Sequence, residues 1–187
     1  MHKKIEEEFH GLAENSLVLA VVNSQNSELA NTAIMNYLVN RNDARGNYVA
    51  VNKPYHEVTK HLKSNGINPD KIFFIDCVSK DLGKDKEVPN CVYIDSPQHL
   101  TDMSIALDEL FRMKHGEFVV IDSLNTLAIY NDKDRVVNFL SYLQKKVRTH
   151  EIRGVMVALD KGHDSDFLPA ISKICDKTID LSDFKQN

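Results

Sequence analysis

Apolar and polar positions follow two rhythms along the chain, and each rhythm predicts one type of element. Short unbroken apolar runs are typical of strands buried on both faces, as in parallel sheets. Such runs lie at residues 17–22, 48–51, 72–77, 91–95, 118–121, 155–159 and 178–181. Apolar residues at helical spacing predict helices over 28–41, 55–65, 100–111, 136–147 and 167–174. Alternation of the two types predicts an α/β chain with a mostly parallel central sheet and helices on both faces.

Composition narrows the class of protein. The 187 residues are 42% apolar and 27% charged, which predicts a single domain over 1–187 with its core at about 12–182. No apolar run approaches the roughly 20 residues that cross a bilayer, and the N-terminus shows no secretory signal. The three cysteines are odd in number, far apart and set in apolar surroundings, which favours buried free thiols in a reducing compartment. We therefore expect a cytoplasmic protein without a membrane partner.

Charge bears on the partners. The formal net charge is -4, and lysines and glutamates are interspersed. A general nucleic-acid binder carries a concentrated basic surface, which this pattern does not predict. A nucleic-acid partner is therefore not expected.

The apolar run Phe118–Ile121 leads directly into Asp122 and Ser123, followed by a leucine. In open parallel sheets the carboxyl end of a strand is the edge that binds ligands. An apolar strand ending in aspartate resembles the Walker B segment of P-loop NTPases. The Asp-Ser-Leu continuation is typical of the RecA/KaiC branch.

Other segments resemble the same family and occur in the expected order. They are the helix ending at Tyr37-Leu38, the strand entry Gly46–Val49, the helix end Ser64–Ile67 and the late passage Ile171–Leu181. The resemblance covers about residues 12–182. It implies a RecA-like three-layer αβα sandwich and a nucleotide site at Asp122.

The segment between the first strand and the first helix departs from that family. A P-loop has the pattern Gly-x-x-x-x-Gly-Lys-Ser/Thr, whose amides, lysine and hydroxyl hold phosphates and magnesium. Residues 24–32 contain neither glycine nor lysine. On the best alignment Leu29 replaces the second glycine and Ala30 the lysine, while Glu28 adds a negative charge where a phosphate would lie. If any nucleotide contact remains here, its candidates are the polar residues Ser24, Asn26, Ser27 and Thr32.

A second departure follows the second strand. KaiC-like ATPases carry an acidic residue there that positions the attacking water, whereas this chain has Asn52-Lys53-Pro54. Phosphoryl transfer would therefore lack its main sources of transition-state stabilisation.

Asp122 has two interpretations. It could cap the following turn or pair with a neighbouring basic side chain, or it could remain a magnesium or ligand site, with Ser123 beside it. Asp76, Asp95 and Asp160 also follow apolar strands, so carboxylates could line one edge of the sheet and hold magnesium. Residues 161–166 are either a loop that senses nucleotide or contacts a partner, as in the family, or a solvated surface loop.

Together these features predict a KaiC/RecA-like protein without ATP hydrolysis, acting as a regulatory or scaffold subunit. A protein partner or a homo-oligomer is expected, and no cofactor is predicted because ATP with magnesium is disfavoured. Two alternatives stay open: a nucleotide- or magnesium-binding protein, even an ATPase, with an atypical site around Asp122, and a DNA-associated recombinase paralogue.

Overall fold

A computed structural model describes residues 1–160 and 166–182. Seven strands form one sheet with all neighbours parallel, in the order β4-β3-β2-β5-β6-β1-β7. The strands are β1 (Leu17–Val22), β2 (Gly46–Ala50), β3 (Ile72–Asp76), β4 (Cys91–Tyr93), β5 (Phe118–Asp122), β6 (Arg153–Leu159) and β7 (Lys177–Asp180). All seven predicted strands are present, with ends that differ from the predicted ones by at most two residues.

Helices cover both faces of this sheet. They are α1 (His2–Phe9), α2 (Ser27–Met35), α3 (Tyr55–Ser64), α4 (Leu100–Arg112), α5 (Leu124–Tyr130), α6 (Lys133–Thr149) and α7 (Phe167–Ser172). Short 3-10 turns precede α2 at Ser24–Asn26 and β3 at Pro69–Lys71. After Met35 the α2 helix continues as a π-helix over Asn36–Arg41, where the sequence predicted one uniform helix.

Two apolar cores lie on opposite faces of the sheet. On one face α1, α2 and α3 pack on alternate strand residues such as Val18, Tyr48 and Val120. On the other face α4 to α7 pack on the intervening residues, among them Leu19 and Ile121. This is the three-layer α/β architecture expected from the sequence, because every strand buries side chains on both faces.

The crossovers create a crevice at the carboxyl edge of the sheet. From β2 the chain passes through α3 to β3, whereas from β5 it passes through α5 and α6 to β6 on the opposite side. Strands β2 and β5 are neighbours, and Ala50 lies opposite Asp122. Neighbouring strands with connections running in opposite directions form the topological switch point at which such sheets bind ligands.

The structure bears on the predictions for the cysteines and for membrane-spanning segments. All three cysteines are free thiols; Cys77 is buried, but Cys91 and Cys175 are only partly buried. Among the described residues no helix is long and apolar enough to span a membrane.

Candidate functional site

The carboxylate of Asp122 is held by two side chains from other elements. The Tyr48 hydroxyl in β2 donates to Asp122 Oδ2 at 2.8 Å. Asn31 Nδ2 in α2 donates to the same oxygen at 2.8 Å and also lies 2.7 Å from the Tyr48 hydroxyl oxygen. Tyr48 and Asn31 are themselves buried. The three side chains therefore form a closed polar cluster, which we call the Asp122 cluster.

Burial sets the electrostatics of this cluster. Desolvation raises the pKa of Asp122 above its usual 3.8, although the Tyr48 hydrogen bond and the Lys53 charge oppose the shift. Desolvation, reinforced by the Asp122 charge, raises the pKa of Tyr48 well above 10.0. Tyr48 is therefore a permanent donor at physiological pH, and burial opposes ionisation of Asp122.

A small cavity of about 40 Å³ adjoins the cluster; Ser27, Asn52, Lys53 and His61 are among the residues that line it with Asp122. This volume admits a few water-sized atoms at most. Sites for small organic ligands usually enclose about 300–1,000 Å³. As it stands, the cavity has no room for a nucleotide.

Two residues that line this cavity, Glu28 and Lys53, form an ion pair. Lys53 Nζ donates to Glu28 Oε1, and this contact lowers the pKa of Glu28. Next to it the Thr32 hydroxyl lies 2.7 Å from His61 Nε2. The first turn of α2 therefore presents a carboxylate already neutralised by a neighbouring lysine.

The segment between β1 and α2 is a compact turn closed by its own hydrogen bonds. The Asn23 side chain accepts from the Asn26 backbone N–H at 2.8 Å and donates to the Ser182 carbonyl at 2.5 Å. The Ser27 hydroxyl donates to the Ser24 carbonyl at 3.1 Å. The Asn26 bond thus occupies one backbone N–H of the kind that a phosphate-binding loop directs toward its ligand.

The predicted site residues are only partly assembled. Of Ser24, Asn26, Ser27 and Thr32, only Ser27 lines the cavity with Asp122, while Thr32 reaches it through His61. Ser123 is buried, and its hydroxyl lies 3.2 Å from that of Thr126 at the start of α5. The peptide bond between Asp122 and Ser123 is cis.

Two other aspartates at strand ends, Asp76 and Asp95, make different contacts. Asp76 is fully buried and accepts hydrogen bonds from the backbone N–H groups of Tyr55, Val78 and Ser79 and from the Ser79 hydroxyl, at 2.5–2.9 Å. Asp95 is exposed and pairs with Lys80 at 2.7 Å. Across residues 1–160 and 166–182, no three His, Cys, Asp or Glu side chains form a group that could hold a metal ion. As a metal ligand, Asp122 would thus act without a set of such partners.

Sequence reasoning missed Asn31, Tyr48 and His61. Asn31 and Thr32 are polar residues on a buried part of α2, and that interruption of an apolar stripe was the available signal. The loop interpretation for 161–166 lies outside the described residues, apart from Asp166.

The sequence of the chain matches the model of one protein family. The sequence model of the "Family of unknown function (DUF7504)" matches residues 16–181. The chain belongs to this family. No curated protein matches the sequence significantly.

Solved structures show how widespread the fold of this DUF7504 member is. One of them is a KaiC-like protein, PH0186, from the hyperthermophilic archaeon Pyrococcus horikoshii. It matches with a TM-score of 0.67 and 13% identity, over 97% of this chain and 79% of that one. The chain therefore has a KaiC/RecA-like fold. Because 378 solved chains match significantly, the fold alone does not select a function.

Proposed function

We propose that this DUF7504 protein is a non-catalytic KaiC/RecA-like subunit with a regulatory or scaffold role. The observation that carries the proposal is the Asp122 cluster. In P-loop enzymes the Walker B aspartate helps to hold magnesium at the nucleotide phosphates. Here the corresponding carboxylate accepts hydrogen bonds from Tyr48 and Asn31 instead.

The position of Asn31 supports this interpretation. With Leu29 aligned on the second P-loop glycine and Ala30 on the lysine, Asn31 falls on the Ser/Thr whose hydroxyl binds magnesium. In this chain Asn31 and Asp122 contact each other directly, at 2.8 Å. An N–H donor thus points at the carboxylate oxygen that would otherwise face the cation, so magnesium could enter only by breaking this contact.

The start of α2 also disfavours a phosphate. A helix N-terminus attracts anions through its free N–H groups and its dipole. Glu28 already supplies a negative charge in that first turn, and Lys53 is engaged with it. A phosphate would have to displace this carboxylate from its lysine without help from a P-loop lysine.

Exposed apolar side chains support a role in protein interaction. Ile129 and Tyr130, at the end of α5, are 69% and 50% exposed. The next residue, Asn131, donates to the Pro97 carbonyl at 3.0 Å, so the end of α5 is tied to the segment that leads into α4. Adjacent large apolar side chains left in solvent, such as Ile129 and Tyr130, often belong to contact surfaces.

ATP turnover by the purified protein tests the non-catalytic claim. We expect no magnesium-dependent phosphate release above that of an Asp122→Ala preparation purified in parallel. The variant controls for contaminating ATPases, which would contribute equally to both samples. Turnover by the natural protein that disappears in the variant would overturn the proposal and favour an atypical ATPase site at Asp122.

A further inference from the structure

A much larger cavity lies at the opposite, amino-terminal edge of the sheet, and the Asp122 cluster has no part in it. Its volume is about 490 Å³, within the usual range for small-molecule sites. Residues at the starts of β5 and β6, Phe118 and Arg153, line it together with Ala44 just before β2. The segment that links α1 to β1 contributes Leu12 and Glu14.

Arg153 is the unusual feature of this cavity. Arg153 is only 8% exposed. Nη2 donates to the Leu12 carbonyl at 3.1 Å, and the guanidinium carbon lies 5.8 Å from the centre of the Phe9 ring. Nε is buried without a hydrogen-bond partner, and within the described part of the chain no carboxylate forms an ion pair with this guanidinium.

A buried cation in this state calls for a counter-ion. Removing a guanidinium from water costs free energy that is recovered only when an anion and full hydrogen bonding replace the water. One carbonyl and one ring face supply a small part of that. An anionic group entering the cavity would supply the rest, and a carboxylate matches the planar guanidinium in a two-point contact.

The residues that line the cavity restrict further the kind of ligand that could bind there. The apolar surface of the cavity comes from Leu12 and the Tyr37 ring, which are both partly exposed, whereas Phe9, Leu38 and Phe118 are only 1–2% exposed. An exposed aromatic ring fits an apolar or aromatic body. Glu14, Glu117 and Glu151 also line the cavity, and all three are exposed. Their charges favour a ligand with one negative charge over a phosphate or polyanion.

We propose that this cavity binds a small monocarboxylic acid with an apolar or aromatic body, whose carboxylate pairs with Arg153. The body lies against Leu12 and the Tyr37 ring. The three glutamates at the mouth select against more highly charged anions. This site is independent of the proposed loss of nucleotide chemistry, since it uses the opposite edge of the sheet.

Calorimetric titration with three matched probes tests the proposal. Phenylacetate carries the single charge, 2-phenylacetamide is its neutral counterpart, and phenyl phosphate carries a larger charge on the same ring. We expect phenylacetate to bind the natural protein most tightly, with the amide weaker by about tenfold or more, since it lacks the charged hydrogen bonds. Absence of phenylacetate binding at millimolar concentration, or tighter binding of phenyl phosphate, would overturn the assignment.

Two variants locate the binding. Arg153→Gln should weaken phenylacetate about tenfold or more, whereas Arg45→Gln, an exposed arginine near the same edge, should leave it unchanged. Equal affinity of Arg153→Gln and natural protein would place the ligand elsewhere.

A third variant tests the proposed carboxylate site if Arg153→Gln does not fold. The exposed triple change Glu14→Gln, Glu117→Gln and Glu151→Gln removes negative charge from the mouth. It should tighten phenylacetate binding and tighten phenyl phosphate binding more strongly, since the repulsion grows with ligand charge. Unchanged affinity for both probes would contradict the proposed site.

Discussion

At the scale of single residues, Asp122 is defined by its partners. Its Oδ2 accepts from Tyr48 and Asn31, which lie 74 and 91 positions away in the sequence. The sequence placed this carboxylate correctly at a strand end on the ligand edge of a parallel sheet. It could not reveal the two donors, because their contact depends on side-chain geometry across three elements.

Substitution of Asp122 separates a structural role from a metal-binding role. Asp122→Ala should lower the free energy of unfolding by about 1–3 kcal/mol, because buried donors on Tyr48 and Asn31 lose their acceptor. Asp122→Asn keeps an acceptor oxygen and removes a buried charge, so its stability should stay close to that of the natural protein. Urea denaturation of the three proteins measures both effects. Equal stability of Asp122→Ala and the natural protein would contradict the structural role.

The raised pKa of Asp122 predicts a pH dependence. Burial makes the folded protein hold the Asp122 proton at pH values where the unfolded chain, with a pKa near 3.8, has released it. Between 3.8 and the raised folded pKa, this group therefore makes stability fall as pH rises. Asp122→Asn lacks the titration, while all other groups are shared. The natural protein should thus gain stability relative to Asp122→Asn as the pH is lowered toward 4, in denaturation series at several pH values. A difference that is flat, or that runs the other way, would contradict the burial effect.

At the scale of elements, strand-end aspartates that look alike in sequence differ in structure. Asp76 joins the end of β3 to the first residue of α3 and to the following turn through four hydrogen bonds. Asp95 follows β4 and makes an exposed pair with Lys80. The apolar run before each aspartate predicts the strand, but not whether the carboxylate turns inward.

Alanine substitution measures this difference directly. Asp76→Ala should lower the free energy of unfolding by about 3 kcal/mol or more, since several buried donors lose their only acceptor. Asp95→Ala is the matched control and should cost about 1 kcal/mol or less, as exposed ion pairs do. Comparable losses in chemical denaturation would show that Asp76 does not join β3 to α3 in the way described.

Local pattern predicted most elements and missed two. Apolar spacing was not used to predict a helix at α1 or α5. In α1 the buried residues are a single pair, Ile5 and Phe9, at i,i+4 spacing among charged residues. Helix α5 has only seven residues and begins just after β5. Its apolar residues are therefore not separated in the sequence from the apolar run of the strand. The π-helical turn after Met35 likewise leaves no signal in apolar spacing.

At the scale of the whole molecule, one parallel sheet presents two different edges. The carboxyl edge, where open parallel sheets bind ligands, contains the Asp122 cluster and a cavity of about 40 Å³. The amino edge contains the larger cavity and the unpaired Arg153. Alternation and resemblance predicted the mostly parallel sheet and its two helical layers, whereas the strand order comes from the structure alone. The Arg153 cavity did not, because residues 9–14, 37–44, 117–118 and 151–153 meet only in the folded chain.

The exposed apolar end of α5 predicts assembly. We expect the protein to self-associate in light-scattering measurements across a concentration series. The double change Ile129→Glu and Tyr130→Glu should shift it to the monomer without lowering its thermal stability, because both side chains are largely exposed. Leu82→Glu is the control, since Leu82 is 53% exposed on the loop before β4. A natural protein that is monomeric throughout, or a double variant that still assembles, would contradict self-association through α5.

Thermal stability with ATP or ADP, each with and without magnesium, tests the central claim most directly. A ligand at 100 times its dissociation constant adds about 2.7 kcal/mol to a folded protein, a rise of a few degrees for a chain of this size. Because Tyr48 and Asn31 engage the Asp122 carboxylate and Lys53 engages Glu28, we predict no shift at millimolar nucleotide. A magnesium-dependent rise that is lost in Asp122→Asn would show that this edge still binds nucleotide, and it would contradict the account.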